Sequence, residues 1–318
     1  MRVIQDIADQ LKRSKNILLT CHTDPDGDAI CSLLALGIAM EEIGKEITFY
    51  TESPIPAIYR FLPEVNRITH TLTDVEKFDT AIVLDCGELE RIGKQASKVS
   101  SIRTVINLDH HITNGGFGDL QLIDTSCCAT AELVYKLIKE IDHPISPPVA
   151  LCIYTGILTD TGSFRFSNTN RAAFKICEEM MAMGVEPHRV AQNVYGTYSL
   201  NRLKLLNHVL DSLEVSEDGK LAIVTVTREM IKKTGTGPED IDGFINYPRS
   251  IEGVSVAVLI QELSPNNYHV SLRSKEMIDV AAIAKQFGGG GHFNASGFSI
   301  EGGLAEVKQR LIQAVSGI

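Results

Sequence analysis

What the chain lacks narrows the field first. No apolar run reaches the length of about 20 residues that a bilayer-spanning helix needs. There is no excess of positive charge: 30 Lys and Arg stand against 40 Asp and Glu, a formal net charge of −10. That balance argues against a long electrostatic track for nucleic acid, which rests on many Lys and Arg contacts to phosphates. It leaves room for a small phosphorylated substrate held at a metal site. None of the seven cysteines (Cys21, Cys31, Cys86, Cys127, Cys128, Cys152 and Cys177) forms a CxxC pair, and none lies beyond residue 177. The odd count suits reduced thiols in a cytoplasm. There is no internal repeat and no low-complexity tract. The opening "MRVIQDIADQLKRSKN" reads as an amphipathic helix carrying acidic residues, not as a signal peptide.

What is present points to two domains. The chain has 318 residues, more than one ordinary core serves. Its first half alternates short apolar strands, Ile17–Thr20, Ile47–Tyr50, Thr80–Asp85 and Thr104–Asp109, with helical patterns such as Ala29–Ile43 and Ala129–Ile141. Alternation of this kind predicts a parallel sheet with helices on both faces. The apolar spacing of "VALCIYTGILTD" predicts a buried helix ending near Asp160. After a helical connection near Leu203–Ser212, the stretches "LAIVTVT", "VSVAVLIQEL" and "YHVSLRS" read as strands. A helix is expected near "PEDIDGFIN", another over "DVAAIAKQF", and a last one over "GLAEVKQRLIQAV". The second half is therefore expected to be a smaller α/β unit with fewer, longer strands.

Parallel sheets hold ligands at the carboxyl ends of their strands. That is where the polar residues of the first half collect. "NILLTCHTDPDGDAICSLL" places His22, Asp24, Asp26 and Asp28 directly after a buried strand. Carboxylates this close repel one another unless a cation holds them. Asp85 follows "TAIVL", Asp109 and His110 follow "TVINL", and Asp160 ends the buried helix. His22, Asp26, Asp28, Asp85, His110 and Asp160 form a mixed nitrogen and oxygen donor set, which suits an ion such as Mn²⁺ better than a thiolate site does. Four carboxylates can neutralise two dications, and two metals about 3.5–4 Å apart clamp a phosphoryl group. Taken alone, "DPDGD" is more often a solvated turn, "DHH" an ordinary strand end, and Asp85 a helix cap. Those readings lose force only because all the pieces fall, in order, at the ends of one predicted sheet.

Four segments, "HTDPDGD", "LDCGELERIG", "NLDHHITN" and "LTDTGSFRFSNT", resemble in order and spacing the motifs of the DHH phosphoesterase family. "FGGGGHFNASGF" resembles the signature of the associated DHHA1 domain. The likeness extends over nearly the whole chain and leans toward the short, stand-alone bacterial members of the NrnA type. It implies an α/β fold with an N-terminal parallel-sheet DHH domain over residues 1–197, a helical linker over 198–214, and a smaller C-terminal α/β DHHA1 domain over 215–318. It implies that His22 and Asp26 bind one Mn²⁺, that Asp28, His110 and Asp160 bind the other, and that Asp85 bridges both. His111 would face the scissile phosphate, and Asp109 would orient the histidines beside it. Arg273, the glycines Gly289, Gly290 and Gly291, and His292 would hold the substrate's terminal phosphate or nucleotide. Asp24, Lys275, Arg91, Asn168, Cys127 and Cys128 receive structural readings.

The activity so implied is Mn²⁺-dependent hydrolysis of very short oligonucleotides, of 3′-phosphoadenosine 5′-phosphate, or of both, to nucleoside 5′-monophosphates. A soluble cyclic di-AMP phosphodiesterase is the nearest alternative. An inorganic pyrophosphatase, a RecJ-like exonuclease and a non-catalytic nucleotide-binding module fit less well. The expected partners are short oligonucleotides or small adenine nucleotides, with no membrane association; a homodimer is left open.

Overall fold

A computed structural model describes residues 2–275 and 278–316; of His292 and Ser316 only the backbone is described. The chain divides into two compact units, one running to Thr197 and one beginning at Tyr198.

The first unit contains strands β1 (Asn16–Cys21), β2 (Glu46–Tyr50), β3 (Thr80–Leu84), β4 (Val105–Asp109) and β5 (Leu120–Ile123). Its helices are α1 (Arg2–Arg13), α2 (Gly27–Glu42), α3 (Ala96–Val99), α4 (Thr130–Ile141), α5 (Pro147–Asp160), α6 (Arg171–Ala182) and α7 (Pro187–Tyr195). The strands pair in parallel in the order β2-β1-β3-β4-β5. Strand side chains alternate between faces. Ile17, Leu19, Ile82, Leu84, Ile106 and Leu108 accordingly join the core beneath α2, α4 and α5. Leu18, Tyr50, Ala81, Val83 and Val105 pack on the other face with Val99 of α3. Both faces are covered, which is why β1, β3 and β4 read as nearly continuous apolar runs. β5 is an edge strand of four half-buried or exposed residues, "LQLI", and carries too little pattern to be recognised.

The second unit contains α8 (Leu200–Asp211), β6 (Glu214–Val215), β7 (Leu221–Val226), α9 (Arg228–Thr234), α10 (Asn246–Ser250), β8 (Val256–Ser264), β9 (Asn267–Ser274), α11 (Val280–Gln286), β10 (Gly290–His292), β11 (Ala295–Glu301) and α12 (Leu304–Ser316). The expectation of fewer strands is overturned: the described residues form six, in the order β10-β11-β9-β8-β7-β6. The surplus comes largely from "GGHFNASGFSIE", which folds as the β10–β11 hairpin. Glycine-rich composition masked its alternation. The expectation of longer strands holds for β8, with nine residues, and β9, with eight. Near "PEDIDGFIN" the chain forms only a short 3₁₀ turn, Pro238–Ile241, before α10. α8, expected as a linker, buries Leu205 and Val209 against Val224, Val226, Ala257 and Leu259 of β7 and β8. α11 and α12 cover the opposite face.

No helix among the described residues is long and apolar enough to cross a membrane.

Candidate metal and phosphoester site

The sheet order places a topological switch between β1 and β3, because β2 lies on one side of β1 and β3 on the other. Crevices at such switch points are where open α/β sheets bind ligands. Register sets the rest. Cys21 pairs with Leu84 and Leu84 with Leu108. The residues that follow, His22, Asp85 and the Asp109–His110 pair, therefore emerge side by side at one edge.

His22 aims Nδ1 at its neighbour's carbonyl, Thr23 O, at 2.7 Å, which turns Nε2 toward Asp85 Oδ2 at 3.7 Å. Burial pulls the His22 pKa down, but the hydrogen bond and charge of Asp85, with Asp26, outweigh it and push it up to about 9. Asp26 caps α2, its Oδ1 accepting from Ala29 N–H at 3.1 Å. Asp28, in the first turn of α2, is buried and accepts from Ser32 Oγ at 3.1 Å, Thr130 N at 2.6 Å and Ala131 N at 2.9 Å. Burial, then the negative charge of Asp85, push its carboxyl up to about 7.

Asp85 follows β3 with φ at 54°, in the left-handed region. Its Oδ1 accepts from Thr130 Oγ1 at 2.9 Å and lies 3.7 Å from His110 Nε2. Burial alone would raise its pKa; His111, His22 and His110 together hold it well below the usual carboxylate range. His110 points Nδ1 at Cys127 O, 3.3 Å away, and sets Nε2 3.5 Å from Asp160 Oδ2 and 4.0 Å from Asp28 Oδ2. Its pKa is up to about 9: burial opposes the rise, and Asp160, Asp85 and Asp28 drive it. Asp160, at the last position of α5, is raised well above the carboxylate range by burial and then by Asp28.

Asp109 is fully buried and stands behind the cluster. Its Oδ1 accepts from His110 N at 2.9 Å and engages His111 Nδ1 at 2.6 Å, while its Oδ2 accepts from Asn114 Nδ2 at 2.6 Å. Asp24 is exposed, on a left-handed backbone, away from this bonding pattern.

Three groups of donor atoms converge to within 4.8 Å: His22, Asp26 and Asp85; Asp28, His110 and Asp160; and Asp85, His110 and His111. The donor set fits divalent ions. Burial and neighbouring carboxylates raise the pKa of Asp28 and Asp160, so these groups would gain from a dication. Four Asp and three His supply oxygen and nitrogen donors, the kind that hard and borderline ions take.

Two residues hold the cluster from behind: Thr130, which sequence reasoning passed over, and Asn168, read from its motif as a structural hydrogen-bonding residue. Thr130 bonds to both Asp28 and Asp85. Asn168, given only a structural reading, donates from Nδ2 to Asp160 Oδ2 at 3.0 Å and to Cys128 O at 2.8 Å. Its place in "LTDTGSFRFSNT", eight residues after Asp160, was the available signal. Thr130 offered one only as the start of a helix that follows a strand of the same sheet. Cys127 and Cys128 are buried beside that helix start, and burial pushes the Cys127 thiol up to about 12, so neither suits a nucleophile.

In the second unit Arg273 lies on β9, on the face opposite the buried Leu272 and Ser274. It shares that face with Ser271 and His269, and its β11 partner is Ala295. Arg273 Nη1 donates to Leu272 O at 2.9 Å, and burial, abetted by Arg249, lowers its pKa. His292 stands on the same cross-strand row through Ala295, but its side chain lies outside the described residues. The glycines separate by role. A Cβ at Gly289 would collide with Gly297 O and Phe298, and one at Gly291 with Ala295 O and Ser296. Only the Cβ position of Gly290 faces open space. For Gly289 and Gly291 the missing Cβ thus serves the hairpin itself, a requirement that the reading of an anion-binding loop had not included. Lys275, expected as a solvated charge, donates to Ile251 O at 2.8 Å.

An enzyme that hydrolyses phosphoester bonds is the class that this fold and site define. Residues 16–157 match the DHH family, N-terminal domain, and residues 218–318 match the DHHA1 domain. The chain belongs to the DHH family. It is 33% identical over 311 residues to the bifunctional oligoribonuclease and PAP phosphatase NrnA of Thermus thermophilus, covering 97% of this chain and 92% of that one. It is 30% identical to the protein of the same name from Bacillus subtilis, with 89% of each chain covered. The crystal structure of an exopolyphosphatase-related protein from Bacteroides fragilis superposes with a TM-score of 0.92 at 30% identity, over 99% of this chain and 96% of that one.

Proposed function

We propose that this enzyme hydrolyses very short oligonucleotides, 3′-phosphoadenosine 5′-phosphate, or both, to nucleoside 5′-monophosphates, with two Mn²⁺ ions. The observation that carries the reading is the convergence of two donor triads with Asp85 within reach of both. The curated relatives bearing oligoribonuclease and PAP phosphatase names, aligned over nearly the full chain, support the substrate class. In this reading His22, Asp26 and Asp85 hold one ion, and Asp28, His110, Asp160 and Asp85 hold the other. When bound, the ions would polarise the phosphoryl group and acidify water.

The chain's own residues do the remainder. His111 stays off the ions, because Asp109 takes its Nδ1. The bond to Asp109, with the charge of Asp85, outweighs burial and raises the His111 pKa, which favours a proton on the ring. Proton delivery to the leaving oxygen would run through Nε2. Asn114 and the His110 amide fix Asp109 in turn. Arg273 would grip a terminal phosphate through its guanidinium fork, with the Gly290 backbone offering a second contact. A chain of net charge −10 offers longer strands little further attraction. The buried free thiols agree with a reducing cytoplasm.

The test is turnover of pApA, 3′-phosphoadenosine 5′-phosphate, cyclic di-AMP and a 20-mer with Mn²⁺, the products resolved by chromatography. The expected result is rapid conversion of the first two to monophosphates. Preference for cyclic di-AMP would shift the substrate, and preference for the 20-mer would overturn the short-substrate reading.

A further inference from the structure

We infer that Thr130 is a positioning residue that sets how Asp85 is shared between the two donor triads. This rests on the metal assignment above.

A helical Thr hydroxyl commonly bonds back to a main-chain carbonyl of the preceding turn. Thr155 of α5 does so, to Leu151 O at 2.7 Å. Thr130, at the first position of α4, has no preceding turn to bond back to, and its Oγ1 reaches across to Asp85 Oδ1 at 2.9 Å. At the same time its main-chain N–H donates to Asp28 Oδ2 at 2.6 Å. One fully buried residue at the start of α4 therefore bonds a member of each triad.

The consequence concerns the two oxygens of Asp85. Oδ1 lies 3.7 Å from His110 Nε2, and Oδ2 lies 3.7 Å from His22 Nε2. A carboxylate that serves two ions must present one oxygen to each. The terminal torsion of Asp is soft and roughly two-fold, so rotamer preference alone does not hold that orientation. The Thr130 hydroxyl donates to Oδ1 and thereby turns Oδ2 toward His22. Partners behind a metal ligand orient it and tune its affinity. Thr130 also explains how α4, which carries no ligand of its own in this reading, contributes to the site: it fixes Asp28 through main-chain groups that no side-chain substitution removes, and Asp85 through a hydroxyl that one substitution does remove.

The experiment is Mn²⁺ binding by calorimetry, with the low-temperature electron paramagnetic resonance spectrum of the loaded protein, on wild type, Thr130→Val, Thr130→Ala and Thr130→Ser. Thr130→Val keeps the shape and the amide but loses the donor; Thr130→Ala loses the donor without a branched side chain, should the valine form fold poorly. Both are expected to weaken Mn²⁺ binding by about 10–100-fold, the range for such partners, and to lose the spin-coupled signal of paired Mn²⁺ while thermal unfolding without metal changes little. Thr130→Ser is expected to recover wild-type binding and the coupled signal. Wild-type affinity and coupling in both donor-less variants would overturn the role of Thr130. Failure of the wild type itself to bind Mn²⁺ would instead overturn the metal assignment on which it rests.

Discussion

The two units carry their candidate residues in opposite ways. In the first, His22, Asp28 and Asp85 are buried and the cluster is cross-bonded: Asp28 accepts three hydrogen bonds, and the buried Asp109 behind it accepts from Asn114 and the His110 amide while engaging His111. In the second, Arg273 is half-buried on a face of a mixed sheet that it shares with Ser271 and His269, and Gly290 borders open space. A buried, mutually bonded cluster suits ions, whose geometry must not drift. A half-buried Arg on a sheet face suits a phosphate ligand. The proposed function gives chemistry to the first unit and grip to the second, and substitutions should separate the two.

The largest effect is expected at Asp85. Asp85→Asn keeps the shape but removes the charge both triads share; activity should fall more than about 100-fold, beyond the range for residues behind a ligand, and Mn²⁺ content measured by atomic absorption should drop at both sites. Full turnover at low Mn²⁺ would collapse the contrast. Arg273→Ala comes next: loss of a charged hydrogen bond to phosphate should raise KM about tenfold or more, with metal content unchanged. Metal loss there, at constant KM, would show that the units do not divide the labour this way.

The glycines sharpen the comparison inside the second unit. Gly289→Ala forces a Cβ into β11 and should destabilise the fold by about 1–3 kcal/mol, the usual cost of overpacking, read as a lowered Tm. Gly290→Val should leave Tm nearly unchanged and weaken substrate use, since its side chain enters the space an anion would occupy. Equal thermal losses at both positions would make the hairpin purely architectural. Salt should matter least. With about two or three phosphate contacts, log affinity for pApA against log salt should slope no more steeply than about −2. A slope several times steeper would reveal a strand-binding track elsewhere.

Much of the first unit was legible because parallel strands buried on both faces write themselves as apolar runs, and "NILLTC", "TAIVL" and "VINLD" each end at a carboxylate or histidine. The convergence of His22, Asp85 and His110 followed from those strand ends alone. β5 escaped because an edge strand needs no such run. The β10–β11 hairpin escaped because glycines at 289 and 291 are there for close backbone packing, and composition cannot distinguish that use from a flexible turn. Thr130 escaped for a third reason. Its importance lies in bonds to residues 102 and 45 positions away in the chain, and nothing in the local pattern of "CCATAELVY" records the partners.

The left-handed backbone at Asp85 has a consequence for anyone who evolves this chain in the laboratory. A side chain in that region costs on the order of 1 kcal/mol that glycine does not incur. Judged by its main chain alone, position 85 would therefore prefer Asp85→Gly. Selection for heat resistance with no activity filter would tend to discard the very carboxylate that both triads share, and the resulting lineages would be sturdier and inert. Under the proposed metal role, Asp at this position gives up stability for function.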